Sequence, residues 1–234
     1  MTTKLLKIVI ALQEFDARLT LPAHPKGLVI FSDDHKNDLW VEVNRALARF
    51  FEKKQFATLQ CELLTMEEQA VLAQVNRELF SERLAKLTGW ALRRKEIKDL
   101  DILLFGSGPG ASLALMAAAK FCGRVRTVIC MDGSPDLAGG SLSKVNVPVL
   151  FIVGGEDSQT IKRNQDAMWL IQTKAELEIM PGRLHVFEEP EILNRSTDAA
   201  IEWFNSCKRS DSCKQEIMNL NWDQYEHTNR SSAL

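Results

Sequence analysis

Two kinds of apolar pattern alternate along most of this chain. Short, nearly continuous apolar runs predict buried strands, whereas apolar residues that recur every third or fourth position predict amphipathic helices. The predicted strands span 4–11, 17–21, 27–31, 56–63, 101–105, 125–131, 147–153 and 175–179. The predicted helices span 39–51, 66–94 with a break near 80–82, 110–121, 159–171 and 190–207. Strands that alternate with helices predict an α/β fold, a three-layer sandwich around a mostly parallel sheet of roughly eight strands.

The first two strands differ from the others because their pattern alternates. Ala17, Leu19 and Leu21 are separated by Arg18 and Thr20, as in a strand with one buried face. We therefore expect the segments 4–11 and 17–21 to form an antiparallel hairpin beside the parallel strands.

The domain organisation follows from length and from a change of composition near residue 208. A chain of 234 residues is long enough for one large α/β domain, which we assign to 1–208. The last segment, 209–234, is rich in Ser, Asp, Lys, Gln and Asn, which is typical of a mobile polar tail. A short helix over 216–222 is the alternative for that segment.

Composition and charge indicate which partners and which compartment to expect. The 29 basic and 31 acidic residues give a net charge of −2, which provides no electrostatic attraction to nucleic acid or to an anionic membrane. Small molecules and proteins remain as partners. The five cysteines are odd in number and lack the C-x-x-C spacing, and the apolar segment 5–12 is interrupted by Lys7. These features predict reduced thiols, no signal peptide and a cytoplasmic location.

The segment 103–115 contains the strongest local motif. An apolar run ends at Gly106-Ser-Gly-Pro-Gly110, after which small and apolar residues resume with helical spacing. This order predicts a strand, a tight turn and a helix. In α/β-hydrolases the same junction is the G-x-S-x-G elbow, with the nucleophile at its centre. The central residue here is Gly108.

Four segments carry a resemblance to a known family. They are Gly106-Ser-Gly-Pro-Gly-Ala-Ser-Leu-Ala-Leu, the loop 133–139, the strand and turn 147–157, and Met180-Pro-Gly-Arg-Leu-His-Val-Phe-Glu-Glu-Pro. Together they resemble the dienelactone-hydrolase-like group of α/β-hydrolases, in the same order and spacing over roughly 27–207. The resemblance implies the α/β-hydrolase fold, with no cofactor.

The resemblance also implies a triad in the chain order nucleophile, acid, histidine. The acid corresponds to Asp157 and the base to His185. Each has a simpler explanation: Asp157 would cap the helix over 159–171, and His185 would be a surface loop residue. We expect an Asp–His pair because both residues occupy the positions that the family pattern requires.

The position that corresponds to the family's nucleophile is Gly108, which has no side chain and therefore no attacking atom. Glycine also adopts the elbow conformation without the strain of about 1 to 3 kcal/mol that other residues pay there. The next residue, Pro109, lacks the backbone N–H that this fold uses in its oxyanion hole. Both substitutions predict loss of serine-type chemistry.

The opposite wall of the expected oxyanion hole also departs from the family. Family members typically have His-Gly after the strand corresponding to 27–31, where this chain has Asp33 and Asp34. Carboxylates that face a developing oxyanion would raise its energy. The alternative is that both side chains face solvent and that His35 begins a rearranged loop.

Three hypotheses about function follow. The leading one is a pseudoenzyme, a degenerate hydrolase homologue that binds a ligand or a protein partner. The second is an enzyme in which His185, oriented by Asp157, acts as a general base without a nucleophile. The third moves the nucleophile to Ser107, which requires a rebuilt elbow.

Two further residues border the expected pocket. Cys130 and Asp132 end the strand over 125–131, although Cys130 is also explained as a small buried hydrophobic residue. The residues Asp33, Asp34, His35, Asp157 and His185 show no metal-ligand spacing, so no metal is expected.

Overall fold

The computed structural model describes residues 1–32, 38–64, 68, 76–121, 124–182 and 190–207. The strands are β1 (Thr2–Ile10), β2 (Gln13–Leu21), β3 (Leu28–Ser32), β4 (Ala57–Cys61), β5 (Ile102–Ser107), β6 (Val125–Met131), β7 (Val149–Gly154) and β8 (Ala175–Met180). The helices are α1 (Asp38–Lys53), α2 (Arg77–Ala91), α3 (Gly110–Ala118), α4 (Ser158–Leu170) and α5 (Pro190–Ser206). A 3₁₀ segment over Pro135–Lys144 is kinked at Gly139.

The eight strands form one sheet in the order β1-β2-β4-β3-β5-β6-β7-β8. Strands β1 and β2 pair antiparallel, and β2 pairs antiparallel with β4. From β4 to β8 every pairing is parallel. The prediction of a mostly parallel, eight-stranded α/β sheet is confirmed.

Two apolar clusters show that helices cover both faces of the sheet. One cluster joins Phe31 and Phe105 of the sheet to α1 and α5, through residues such as Leu47 and Phe204. The other contains side chains of α2, α3 and α4, among them Leu84, Leu115 and Ala167. Because each face carries its own cluster, the fold is the predicted three-layer sandwich.

The first hairpin is longer than the pattern predicted. Strand β2 begins at Gln13 because Phe15 is buried between the exposed Glu14 and Asp16, which extends the alternation backwards. A two-residue turn remains, in which Ala11 and Leu12 have φ values of +51° and +68°. Positive φ at both central residues is typical of the turns that match the twist of a hairpin.

Helix α2 shows that the predicted break near 80–82 is wrong. The helix runs unbroken from Arg77 to Ala91, and Asn76 caps it by accepting a 3.2 Å hydrogen bond from the Leu79 N–H. Phe80 and Ser81 are buried, so two of the three residues at the predicted break instead belong to the packing face. The earlier part of the predicted helix, apart from Glu68, lies outside the described residues.

The C-terminal segment is another part of the chain whose predicted structure is not tested. Residues 208–234 lie outside the described range, so the division into 1–208 and 209–234 and the helix over 216–222 stay predictions.

Within the residues that are described, no helix has both the length and the apolar character needed to cross a bilayer.

Candidate functional site

The carboxyl ends of four neighbouring strands meet at one edge of the sheet. Ser32 of β3 is in register with Gly106 of β5, which is in register with Cys130 of β6, and Cys130 is in register with Phe151 of β7. The loops that follow these strands therefore emerge side by side. Such edges are where open α/β sheets bind ligands.

The turn between β5 and α3 has the strand–turn–helix form of a nucleophile elbow. Gly108 has φ of +49°, in the left-handed region that other residues adopt at a cost. Its N–H donates a 2.9 Å hydrogen bond to the carbonyl of Met131, and its carbonyl accepts from the Ala111 N–H at 3.3 Å. The turn is therefore fixed by backbone contacts to β6 and α3, without any side chain at its centre.

The glycines on either side of Gly108 allow a close approach of backbone segments. A Cβ atom at Gly106 would lie 2.5 Å from the carbonyl oxygen of Gly110, and one at Gly110 would lie 2.1 Å from that of Ser32. These distances are far below van der Waals contact, so the first and last glycines of the motif are required by packing. The outline of the elbow is retained for structural reasons.

Pro109 precedes α3 as its N-cap, with φ of −60° and ψ of −30°. A proline near the start of a helix fits well because its missing N–H would have no partner within the helix. At this position, however, the missing N–H is the group that an oxyanion hole would use.

Serine hydroxyls near the turn are bound to other protein groups. Ser107 is 2% exposed, and its Oγ donates to Oδ1 of Asn44 on α1 at 2.7 Å. Ser32 Oγ donates to the Gly110 carbonyl at 2.7 Å, and Ser112 Oγ to the Pro109 carbonyl at 3.1 Å. These hydroxyls hold β3, β5, α1 and α3 together around the turn.

Comparison with known proteins identifies the family. The dienelactone hydrolase family matches residues 47–209, more than half of the chain. This chain belongs to the dienelactone hydrolase family.

A solved member of the same family agrees with this assignment. The crystal structure of dienelactone hydrolase from Anabaena variabilis is 31% identical, covers 89% of this chain and 99% of its own, and superposes with a TM-score of 0.82. Est1E from Butyrivibrio proteoclasticus is 14% identical over 86% of this chain and 97% of its own, with a TM-score of 0.67. The second likeness shows the shared α/β-hydrolase fold alone.

The curated relatives carry a different name. Two proteins from strains of Mycobacterium tuberculosis, each named "Putative phosphoribosyl transferase", are 40% identical to this chain over 187 residues. The match covers 80% of this chain and 42% of each relative. This chain therefore spans less than half the length of the curated relatives that it matches.

Asp157, the residue in the position of the family's acid, caps α4. Its Oδ1 accepts from the N–H groups of Gln159 at 3.1 Å and Thr160 at 3.0 Å, and its Oδ2 accepts from the Thr160 hydroxyl at 2.8 Å. The hydrogen bond from the Thr160 N–H, helped by the Thr160 hydroxyl, lowers the pKa of this carboxyl. The N-cap explanation for Asp157 is confirmed, and the carboxylate is held in its ionised form.

Several predicted site residues lie outside the described residues. Asp33, Asp34 and His35 fall in the segment 33–37 after β3, and His185 falls in the segment 183–189 after β8. Three expectations therefore stay predictions: the pairing of Asp157 with His185, the position of Asp33 and Asp34 at the oxyanion hole, and the role of His35. The same holds for metal binding: the described residues contain no group of three or more potential metal-ligating side chains, but these two segments are not covered by that finding.

Cys130 and Asp132 end β6 in different environments. Cys130 is fully buried, with its Sγ 3.8 Å from the Ala111 carbonyl, and burial raises the pKa of its thiol. The structure therefore places Cys130 in the core, as a small buried side chain. Asp132 is partly exposed at the edge of the sheet, with φ of +48° and its N–H donating to the Ile152 carbonyl at 2.8 Å.

Two asparagines near the elbow were missed by the sequence reasoning. Asn44 is 1% exposed and accepts from Ser107, while the fully buried Asn164 donates to the Gly133 carbonyl at 3.1 Å and to the Thr160 carbonyl at 2.8 Å. The signal in the sequence is a polar residue on or beside the apolar stripe of a helix. Each asparagine connects a helix to a loop or strand end at the site.

Proposed function

We propose that this member of the dienelactone hydrolase family does not perform serine-type ester or lactone hydrolysis, and that its site between β5 and α3 binds a ligand or partner. The observation that carries the proposal is Gly108, which occupies the centre of an intact elbow at φ of +49° and has no side chain. A covalent acyl intermediate requires an attacking atom at that point.

The loss of an oxyanion donor supports the same conclusion. Pro109 lacks the N–H that would stabilise a tetrahedral intermediate, and loss of one such donor lowers the rate by roughly 10²- to 10³-fold in a serine protease. The N–H of Gly108 does not replace it, because it already donates to the Met131 carbonyl. We infer that this turn lacks both an attacking atom and one of the donors that would stabilise the oxyanion.

Neighbouring nucleophiles do not compensate in the described part of the site. The Ser107, Ser32 and Ser112 hydroxyls donate to Asn44, Gly110 and Pro109 respectively. The Cys130 thiol is held neutral by burial, which raises its pKa. A nucleophilic Ser107, the alternative raised by the sequence, would first have to give up its hydrogen bond to Asn44.

The transferase name of the mycobacterial relatives is not extended to this chain. The matched region covers only 42% of each relative. In this chain that region overlaps the match to the dienelactone hydrolase family over 47–209. The Anabaena dienelactone hydrolase likewise covers 89% of the chain. We therefore base the proposal on the hydrolase family.

A fluorophosphonate probe tests the proposal directly. We expect no covalent labelling of the native protein and no turnover of simple aryl esters. Labelling of any serine in the native protein at one probe per chain would contradict the proposal. The Anabaena dienelactone hydrolase serves as a comparison sample.

A pair of variants extends the test. Gly108→Ser restores an attacking hydroxyl, and Gly108→Ala imposes the same backbone strain without one. If the loss of the nucleophile is the main defect, the serine variant gains labelling and the alanine variant does not. Equal reactivity of both variants would show that the missing hydroxyl is not the main defect.

A second candidate function retains proton-transfer chemistry. It is favoured by Asp157, whose exposed carboxylate follows the carboxyl end of β7 and is kept ionised by its hydrogen bonds to Thr160. In this scheme His185 removes a proton from a substrate or from water, and Asp157 orients its ring. His185→Ala abolishes any measured turnover if this scheme holds, and surviving activity would rule it out.

A further inference from the structure

Strand β8 forms one edge of the sheet. It pairs in parallel with β7, from Ala175 opposite Val149 to Met180 opposite Gly154, and no other described strand lies beside it. Its outer backbone N–H and C=O groups therefore have no neighbouring strand among the described residues. An open edge of this kind can pair with a further strand.

The apolar cluster on one face of the sheet is incompletely covered at this edge. Three apolar residues of β8, Ala175, Leu177 and Ile179, alternate with two glutamates. The first two are only partly buried against the cluster that contains α2, α3 and α4, and Ile179 is 49% exposed. A strand beyond β8 would bury these side chains further if its own apolar residues alternated in the same way.

The segment 217–222, which lies outside the described residues, has such a pattern. Its sequence is Ile-Met-Asn-Leu-Asn-Trp, so that Met218, Leu220 and Trp222 alternate with two asparagines. It contains no charged residue, proline or glycine, although the stretch around it is polar. An uncharged segment that alternates in this way favours a strand, and it is prone to aggregate when it stays exposed. Burial against the rest of the chain would remove that hazard.

We propose that residues 218–222 form a ninth strand, which pairs antiparallel with β8 and extends the sheet. In this register Leu220 lies opposite Leu177. Trp222 lies opposite Ala175, so the largest of these apolar side chains meets the smallest. The ninth strand replaces the mobile tail or short helix that composition alone suggests for this part of the chain.

The polar face of β8 fits the same register. Asn219 lies opposite Glu178, and Asn221 lies opposite Glu176. The side-chain N–H groups of asparagine can donate to the carboxylates. Glu176 already has the Lys174 ammonium 2.9 Å from its Oε1. Across the new strand pair, each carboxylate therefore meets a neutral amide.

The described chain ends close enough to this edge for the segment to reach it. The Cys207 carbonyl accepts a 2.8 Å hydrogen bond from Nε of Arg126, which places the end of α5 at the amino end of β6. The start of an antiparallel strand beyond β8 is about 25 Å from there, at ~4.8 Å between strands and ~3.3 Å per residue. Residues 208–217 span up to ~33 Å when they are extended.

The tether selects this segment and this edge. A segment linked by a short flexible connection has an effective concentration on the order of millimolar at its own edge, so weak strand pairing is sufficient to order it. The opposite edge, at β1, lies about 35 Å from the end of α5 by the same measure, which exceeds the reach of the connection.

The side of the sheet on which α5 packs determines the direction of the ninth strand. Helices α1 and α5 cover the same face. The connection from β3 through α1 to β4 moves toward β1, whereas a connection from β8 through α5 to a ninth strand moves the opposite way. If both connections joined parallel strands, they would have opposite hands. Because parallel crossovers are almost always right-handed, the ninth strand runs antiparallel to β8.

Disulfide trapping tests the register and the direction. All variants carry Cys213→Ser, which removes a thiol close to the segment. In Glu178→Cys/Asn219→Cys the two positions lie directly opposite each other, at a separation that a disulfide can bridge. In the control Glu178→Cys/Asn221→Cys the two positions are diagonal, about 7 to 8 Å apart, which is too far.

We expect mild oxidation to link residues 178 and 219 within one chain at least about fivefold faster than residues 178 and 221. Peptide mass spectrometry identifies the linked residues, and a non-reducing gel separates links within one chain from links between two. Equal linking in both variants, faster linking of 178 to 221, absence of a link between 178 and 219, or links only between two copies would each overturn the proposal.

Amide hydrogen exchange provides an independent test on the chain without new cysteines. We expect the N–H groups of 218–222 that face β8 to exchange at least about tenfold more slowly than in a peptide of the same sequence. Ile179→Lys, which places a charge opposite Met218, removes this protection. Val9→Lys, the control, changes a side chain that is also 49% exposed but lies on β1, and it leaves the protection unchanged. Exchange at the peptide rate in the native chain, protection that survives Ile179→Lys, or equal loss in both variants would contradict the proposal.

Discussion

The Oγ of Ser107 donates a 2.7 Å hydrogen bond to Oδ1 of Asn44, and this contact joins the end of β5 to α1 directly beneath the elbow. Both residues are at least 98% buried. The hydroxyl next to Gly108 thus connects the sheet to a helix.

Ser107→Ala therefore lowers the stability of the fold. Removal of this buried hydrogen bond reduces the free energy of unfolding by about 1 kcal/mol, measured by urea denaturation. Ser143→Ala provides the control, because Ser143 is exposed and its hydroxyl donates to the nearby Gly140 carbonyl at 3.2 Å. An unchanged stability in Ser107→Ala would mean that the contact with Asn44 contributes nothing.

Gly110→Ala is more damaging. Its Cβ would lie 2.1 Å from the carbonyl oxygen of Ser32, and relief requires the separation of β3 from α3. We expect a loss of about 3 kcal/mol or more in the free energy of unfolding, at the upper end of the range for overpacking. Gly140→Ala, where nothing lies within 4 Å of the new Cβ, stays close to the native stability. Equal stability of the two variants would be inconsistent with the close approach described above.

Asp157 contributes to stability in a way that depends on pH. Its pKa is lower in the folded protein, so its contribution is complete above the ordinary aspartate value of 3.8 and disappears as the pH falls through the lowered pKa. At neutral pH, Asp157→Ala loses about 1 kcal/mol from the missing cap. Thermal unfolding from neutral to strongly acidic pH measures both effects.

Asp157→Asn separates the cap from the charge. Asparagine caps helices about as well as aspartate, so this variant keeps most of the stability at neutral pH but loses the acid dependence contributed by residue 157. A variant that is as unstable as Asp157→Ala would show that the charge, and not the capping geometry, is what stabilises α4.

The described cysteines are expected to be unreactive. Burial raises the pKa of Cys61 to about 12 and also raises those of Cys130 and Cys207. Since the thiolate is the reactive form, none of the three is alkylated by iodoacetamide at mildly alkaline pH in the folded protein. Peptide mass spectrometry checks this, with the urea-unfolded protein as the control in which all three react.

The sheet was predictable because its central strands are continuous apolar runs between turns. The segment 125–131 coincides with β6, and the glycine pattern at 106–110 located the elbow. The 3₁₀ segment over Pro135–Lys144 was not predicted, because a kink at Gly139, with φ of +52°, divides it into two short pieces. The break expected within α2 failed because Phe80 and Ser81 are part of the buried face of one continuous helix.

The candidate site was only partly predictable. The motif located the turn at Gly108 and the start of α3 after Pro109, and the alternative explanation of Asp157 as a cap was correct. The contact between Asn44 and Ser107 could not be found by local spacing, because it joins residues 63 positions apart. Such pairs depend on how α1 packs against the sheet, which a local pattern does not determine.

The close packing around Gly106 and Gly110 has a practical consequence for protein engineering. Because backbone contacts and these two glycines fix the turn, the position of residue 108 does not depend on its own side chain. A cysteine or a non-natural amino acid introduced there would be held at the end of β5, at the cost of the strain that a positive φ imposes on a residue with a side chain. The turn thus offers one point at the edge of the sheet where a reactive group can be installed.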